Sequence, residues 1–271
     1  MISVNMLSSY LYCKRKLYLQ YVLKISPIPK EAIIWGRLKH DIFDKVNSLD
    51  KEIVSGISNF MPLEEIIMVF RKEYSKIFFE TLETMKDELI ELGVDSTGMF
   101  HKMWPMFLRE ARDRAANVYG CMVREKVYGE SLWSRLSPKI LTEVTLSSYA
   151  LDLKGAIDRI EIHNGEYTPI ELKSGRMPKE GVWPGDRIQL ESYMSLLVEE
   201  MHKNIKEGYV HYIDHDERRK ISMNPFVREN VIKTVQNVNR ILNGKLPPIV
   251  SNKNKCSSCS FRDKCYSLTG S

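Results

Sequence analysis

The chain has 271 residues, of which 43% are hydrophobic and 28% charged, an ordinary globular balance with length for one large domain or a domain carrying an insertion. No run approaches the roughly 20 apolar residues that span a bilayer, and the opening MISVNMLSSYLYCKRK lacks a basic start and a small-residue cleavage site. A cytoplasmic protein with no membrane contact is therefore expected, and a net charge of +5 is compatible with nucleic acid without being diagnostic of it.

Apolar spacing predicts a helix over the first twenty residues, through Leu7, Tyr10, Leu11, Leu17 and Tyr18. Pro27 and Pro29 break the chain, and a second helix is expected from about Glu31, carrying Trp35, Gly36, Leu38, His40 and Phe43. Residues 62–92 read as one long amphipathic helix, because Ile66, Ile67, Phe70, Tyr74, Ile77, Phe78 and Leu82 recur at three- and four-residue steps. A break at Gly93–Gly98 precedes a helix expected at about 101–128. Strands follow from Ile140 to Lys173, then a helix at about Arg187–Met201, a hairpin at Gly208–Met223 and a helix at Pro225–Leu242. Pro247-Pro248 leads into a cysteine-bearing tail. The expected organisation is one domain over 1–271. It has an α/β core at 140–243, a helical insertion at 50–135 and a C-terminal cysteine segment at 244–271 that pairs with the N-terminal helix at 3–22.

The segment IDRIEIHNGEYTPIELKSG concentrates the chemistry. Asn164-Gly165 is a strong hairpin signal, since both turn positions need positive φ. It separates two apolar-rich runs, Leu153–Ile162 and Tyr167–Leu172, that read as antiparallel strands. Side chains alternate along a strand, so Glu171 and Lys173 share a face while Leu172 points into the core. Asp158 lies twelve intervening residues upstream, where the hairpin register can bring it to the same end of the sheet. Two carboxylates can hold a divalent metal that lowers the pKa of a bound water, and a lysine can orient that water or stabilise the charge building on a phosphate. The pattern points to a metal-dependent nuclease, although such triplets also arise on solvated strand faces.

Five cysteines are unevenly placed. Cys256, Cys259 and Cys265 stand within ten residues in the polar stretch NKNKCSSCSFRDKC, one thiolate short of a four-sulfur site. Cys13, beside Lys14, Arg15 and Lys16, is the better fourth ligand, because neighbouring cations favour a thiolate. Cys121, in VYGCMV on a helical pattern, reads as a buried small hydrophobe. Zinc and an iron–sulfur cluster both remain open, and either would clamp the chain ends together. Supporting residues have bland readings beside the functional ones. His40 is either a metal ligand or a surface histidine. Gln189 and Tyr193, one helical turn apart, share a face that suits a phosphate or base, or form a satisfied polar pair. Arg176, Lys179, Trp183 and Arg187 give the loop after the hairpin a basic and aromatic character suited to single-stranded nucleic acid. Glu143 is either an extra acid at the site or an exposed strand residue, and Arg218, Arg219 and Lys220 read as a solvated turn.

A helical histidine, then D…ExK, then Q-x3-Y, resembles the RecB-type branch of the PD-(D/E)xK nucleases. With one N-terminal and three C-terminal cysteines, the chain resembles the CRISPR-associated RecB-like exonucleases of Cas family four. The resemblance covers roughly residues 1–45 and 140–271. It implies a restriction-endonuclease-like α/β core sheet flanked by helices, with a cysteine clamp joining the termini. It implies that His40, Asp158, Glu171 and the backbone carbonyl of Leu172 bind Mn²⁺ or Mg²⁺, that Lys173 is catalytic, and that Gln189 and Tyr193 face DNA. Cys13, Cys256, Cys259 and Cys265 would hold a [4Fe–4S] cluster. The implied activity is metal-dependent exonucleolytic trimming of single-stranded DNA, commonly from the 5′ end, for spacer acquisition with CRISPR integrase proteins, with homo-oligomerisation open. The insertion at about 50–135 departs from compact members and leaves subfamily and polarity open. The alternatives are a non-catalytic DNA-binding or scaffolding subunit and a RecB-type repair or recombination nuclease.

Overall fold

The computed structural model describes residues 1–28, 31–250 and 252–268, so the break expected at Pro29 lies outside the described residues. The chain begins with β1 (Ile2–Ser3), α1 (Val4–Tyr12) and α2 (Lys14–Tyr21). The single helix expected there is interrupted at Cys13, whose φ of −165° is extended backbone. Six helices follow: α3 (Glu31–Ser48), α4 (Asp50–Ser55), α5 (Leu63–Thr84), α6 (Lys86–Glu91), α7 (Ser96–Glu125) and α8 (Gly129–Arg135). The helix expected over 62–92 is split at Met85, which caps both pieces. α7 starts five residues before its expected position. Asp95 caps it by accepting from Thr97 N at 3.0 Å and Gly98 N at 2.9 Å, a signal masked by the loop-like SerThrGly that follows.

The sheet carries β2 (Lys139–Ser148), β3 (Leu153–His163), β4 (Glu166–Lys173), β5 (Glu207–Tyr212) and β6 (Glu217–Ser222). α9 (Pro184–Met201) crosses between β4 and β5, and α10 (Pro225–Leu242) follows β6. The tail forms two short turns, α11 (Lys253–Ser257) and α12 (Arg262–Ser267). β2 lies antiparallel along one edge of β3. On the other edge, β1 pairs in parallel at Leu153 and Lys154, and β4 pairs antiparallel from Arg159 onward. β5 then joins β4 in parallel and β6 closes the sheet antiparallel. The result is a mixed α/β sheet with helices on both faces. Among the described residues no helix is long and apolar enough to cross a membrane.

The two faces bury different cores. Ile170, Leu172 and Ile213 pack with α3 and the helical segment, through residues such as Phe43, Phe70, Phe78, Phe107 and Val118. Leu153, Ile160, Val210 and Tyr212 pack with α1, α9 and α10. Cys121 is 2% exposed on α7, the buried hydrophobe its pattern predicts.

Buried ion pairs fix the helical segment to the rest. Arg114 on α7 donates its Nε to Asp50 Oδ1 at 2.8 Å, pairs through Nη2 with Asp50 Oδ2, and reaches the Pro138 carbonyl at 3.0 Å ahead of β2. Arg159 on β3 sits between Glu110 of α7, at 2.6 Å, and Glu161, at 2.9 Å. Arg218 also reaches Glu161 with both terminal nitrogens, at 3.1 and 3.0 Å. The turn expected at Arg218–Lys220 is instead strand β6, on which Arg218 and Lys220 are exposed as expected while Arg219 is partly buried. The β5–β6 register puts Arg218 opposite His211, and Arg219, 13% exposed, donates to the carbonyls of Gly181 and Lys179. Breaking a buried pair leaves an uncompensated charge, so Arg114→Leu is expected to cost about 3–5 kcal/mol of stability. Asp50→Leu combined with Arg114→Met should recover most of it. Urea unfolding of the three proteins measures this, and a single-variant loss below about 1 kcal/mol would show that the pair is dispensable.

Candidate active site

The site forms where the β3–β4 ladder stops. The last paired residues are Arg159 and Ile170, so the next position outward sets Asp158 beside Glu171. There the strands part, and Asp158 Oδ2 accepts the Leu172 amide at 2.8 Å. Opposite residues of an antiparallel pair share a face, and alternation adds Lys173 to it. Ile170 and Leu172 turn the other way into the helical segment's core.

Four further side chains converge. His40, on α3, brings Nδ1 to 3.6 Å from Asp158 Oδ1. Gly36, one turn earlier, lets α3 ride close to the strand end, since a Cβ there would lie 3.3 Å from Ser174 Oγ. Lys173 Nζ lies 2.5 Å from Glu171 Oε1 and donates to Gln189 Oε1 at 2.9 Å. Gln189 Nε2 donates onward to Asn5 Oδ1 of α1 at 3.1 Å. Tyr193 is 4% exposed beside Gly155, where a Cβ would sit 2.9 Å from its ring. Gln189 and Tyr193 are both buried, so they back the charged cluster from α9 and do not line open surface.

The electrostatics follow from the crowding. Burial and the Asp158 charge push the Glu171 carboxyl up to about 8, against the opposing pull of Lys173. Burial opposes ionisation of Asp158 too, but the His40 hydrogen bond, Lys173 and the Leu172 amide outweigh it and lower its pKa. Burial works against charging His40 and Lys173, yet Asp158 raises the first, and Glu171, Asp186 and Asp158 raise the second. Burial raises Tyr193 well above its ordinary value, helped by Glu171, Asp158 and Glu143.

Glu171 Oε2 is buried with no hydrogen-bond partner, an orphaned acceptor aimed into a cluster of acids. With an Asp158 oxygen and His40 Nδ1 nearby, the donor set of two carboxylates and an imidazole suits Mn²⁺ or Mg²⁺. Among the described residues no three such side chains stand close enough together to hold an ion as they lie. Lys173 against Glu171 Oε1 is the nearest competing cation.

Two residues at the site carry signals that spacing alone does not resolve. Glu143 stands on β2 between the pairs Thr142–Arg159 and Val144–Ile157, opposite Asp158, and it takes a φ of 48° in mid-strand. Such strain in a non-glycine residue gathers at functional sites. Its carboxyl is raised by burial and by Asp158, Asp44 and Asp41. Asn5 has no sequence signature, since it reaches Gln189 only because α1 docks on α9. Trp183, 47% exposed, donates Nε1–H to the Arg176 carbonyl, and Arg219 ties down the loop between them. Tyr212 donates to Asp186 Oδ2 at 3.0 Å behind Lys173.

At the chain ends, Cys13, Cys256, Cys259 and Cys265 line one cavity of about 410 Å³ and are all free thiols. Arg15 bridges the ends by donating to the Pro247 and Cys265 carbonyls at 2.6 and 3.1 Å. Tyr12 Oη donates to the Lys255 carbonyl at 2.9 Å, and Lys255 Nζ returns to the Tyr12 carbonyl at 3.1 Å. The Phe261 amide lies 3.5 Å from Cys259 Sγ, an N–H directed at sulfur.

Several known nucleases resemble this chain. A Leptospira interrogans CRISPR-associated exonuclease Cas4/endonuclease Cas1 fusion is 29% identical over 160 residues, covering 55% of this chain and 30% of its own. The Thermoproteus tenax CRISPR-associated exonuclease Cas4 is 25% identical over 126 residues, covering 46% of this chain and 66% of its own. An Arabidopsis thaliana DNA replication ATP-dependent helicase/nuclease, JHS1, is 28% identical over 277 residues, covering 93% of this chain and 19% of its own. The chain spans less than two thirds of each of these relatives. The family model of the PD-(D/E)XK nuclease superfamily matches residues 1–266, and the chain belongs to that superfamily.

Proposed function

We propose that the chain is a metal-dependent exodeoxyribonuclease that trims single-stranded DNA ends, in the 5′ to 3′ direction, for CRISPR spacer acquisition. The observation that carries this reading is the register that sets Asp158 beside Glu171, with an unpartnered Glu171 oxygen and Lys173 and His40 converging on the pair. Asp158, Glu171, His40 and the Leu172 carbonyl would hold Mn²⁺ or Mg²⁺. Such an ion lowers the pKa of a coordinated water and offsets the charge of the scissile phosphate.

The chain's own residues do the rest. Leu172 N–H and His40 hold the Asp158 carboxylate ionised and oriented. Lys173, held by Gln189, leaves Glu171 for the phosphate, where its charge is most useful as negative charge builds on the oxygens. Water adds to phosphorus, the bridging P–O bond breaks, and the released oxygen takes up a proton. Gln189 and Tyr193 act on DNA through the groups they position. The Cas4 and Cas4/Cas1 names of the relatives support a CRISPR role with integrase proteins as partners. The helicase/nuclease relative keeps a repair or recombination reading as the alternative.

The four cysteines would hold a [4Fe–4S] cluster. Four thiols lining one cavity of about 410 Å³ leave room for a polynuclear cluster. The N–H directed at Cys259 sulfur fits a cluster's hydrogen-bonding shell.

Lys173→Ala and Glu171→Ala are each expected to slow Mn²⁺-dependent cleavage of single-stranded DNA at least about 100-fold. Separate 5′ and 3′ labels read polarity in the same assay, and a Lys173→Ala protein working at the parental rate would sink the proposal.

Protein purified without oxygen is expected to be brown and to hold about four irons per chain. Cys259→Ala should bleach it, whereas a colourless parent with stoichiometric zinc would overturn the cluster.

The third expectation concerns pH. A carboxylate raised to about 8 in the folded chain favours folding while protonated, below its unfolded value of about 4.3, and that contribution is lost as pH rises through 8. In chelator, Glu171→Gln should therefore be more stable than the parent at about pH 9 and equal to it near pH 4. Thermal melts at both pH values decide this, and a difference independent of pH counts against it.

A further inference from the structure

A groove of about 370 Å³ lies between α3 and α7 and belongs to none of the residues assigned above. Trp35 and Lys39 come from one face of α3, and Lys102, Pro105 and Arg109 from one stripe of α7. Asp214, in the β5–β6 turn, contributes the carboxylate of the lining. Lys39 is 7% exposed and paired with Asp214, so it forms a fixed floor. Arg109 is exposed, 3.6 Å from Asp216. Lys102 is exposed and lies over the Trp35 ring, 5.3 Å from its centroid. Trp35 Nε1–H donates to Glu31 Oε1 at 2.9 Å, which orients the ring.

The groove's floor is tied to the elements that carry the carboxylate site. Lys39 precedes His40 on α3, so adjacent faces of one helix serve the two places. Asp214 Oδ2 accepts the Gly175 amide at 2.7 Å, two residues beyond Lys173, and the Ile213 amide bonds the Lys173 carbonyl at 3.0 Å. Thus the floor of the groove and the end of the lysine-bearing strand are one hydrogen-bonded unit. Two exposed cations, an oriented indole and a neutralised floor make a surface for one phosphate and one base. Aromatic stacking combined with cations is how proteins hold single strands without reading sequence.

We propose that this groove is a nucleotide subsite for single-stranded DNA beside the cleavage site, with Trp35 stacking a base and Lys102 and Arg109 taking the adjoining phosphate. The inference rests on the nuclease reading for its direction, since it supplies a grip on the strand that the carboxylates would cut. It also gives the helical segment a part in substrate binding.

Anisotropy of a labelled oligothymidylate, measured in EDTA across a salt series, tests the groove without cleavage. Trp35→Leu is expected to weaken binding about tenfold with an unchanged salt slope, because stacking releases no counterions. Lys102→Ala with Arg109→Ala is expected to flatten the slope of log K against log salt by about 0.7, the share of the one phosphate they hold. Both cations are exposed, so this pair keeps the test sound if Trp35→Leu fails to fold. Binding by the folded double variant with parental affinity and slope would overturn the groove, as would a parent that does not bind. Cleavage by the parent in Mn²⁺ is scored separately. A cleaving parent with unaffected variants sinks the groove alone, and weakened variants of a non-cleaving parent uphold the groove while the nuclease reading fails.

Discussion

Where β3 and β4 part, the Leu172 amide has no strand carbonyl to meet, and Asp158 turns its carboxylate in to accept that hydrogen at 2.8 Å. This one substitution of a side chain for a ladder bond organises everything around it. A buried amide must be satisfied, so the carboxylate is held at the gap, ionised, on the face that Glu171 shares. The second carboxylate then sits where ionisation is costly, with one oxygen on Lys173 and the other without a partner. Lys173 answers from the same strand and His40 from α3. An ordinary continuous hairpin would have shown water the alternating charges of a surface strand.

The surrounding molecule holds that gap open. On one face, α9 supplies Gln189 and Tyr193 behind the charges, packed against Gly155, where a larger residue would collide with Val4 and Tyr193. On the other face, α3 comes close because Gly36 clears Ser174. Position along the sheet is set by ion pairs, with Arg159 joining β3 to α7 and Arg114 joining α7 to Asp50. Buried pairs of this kind add little net stability but are demanding in geometry. The helical segment thus fixes α3, and through it His40, relative to the strand end.

Legibility in the sequence tracked the range of each interaction. The Asn164-Gly165 turn and period-two alternation are local, and with them the hairpin, its register and the shared face of Glu171 and Lys173 could be read directly. The α/β class followed from the order of strands and helices. What escaped was non-local. The ion pair of the exposed Arg218 escaped because nothing near it in sequence says that Glu161 lies across the sheet. Helix α7 begins at a cap whose following Ser, Thr and Gly imitate a loop. Asn5 and Trp35 acquire meaning only after α1 docks on α9 and α3 on α7. The mid-strand φ of Glu143 leaves no compositional trace.

The two ends of the chain and the carboxylate site are not independent. α1 is a nine-residue helix, about 13 Å of rise, with Asn5 near its start and Cys13 at its C-cap. At one end, Asn5 holds the amide of Gln189, whose oxygen holds Lys173. At the other, Cys13 stands among the tail cysteines while Arg15 and Tyr12 fasten the tail's carbonyls. α1 is also wedged against α9, because Gly185 leaves room for Ser8 and nothing more. α1 thus joins the cysteine cavity to the lysine through Asn5 and two successive hydrogen bonds, Gln189 to Asn5 and Lys173 to Gln189.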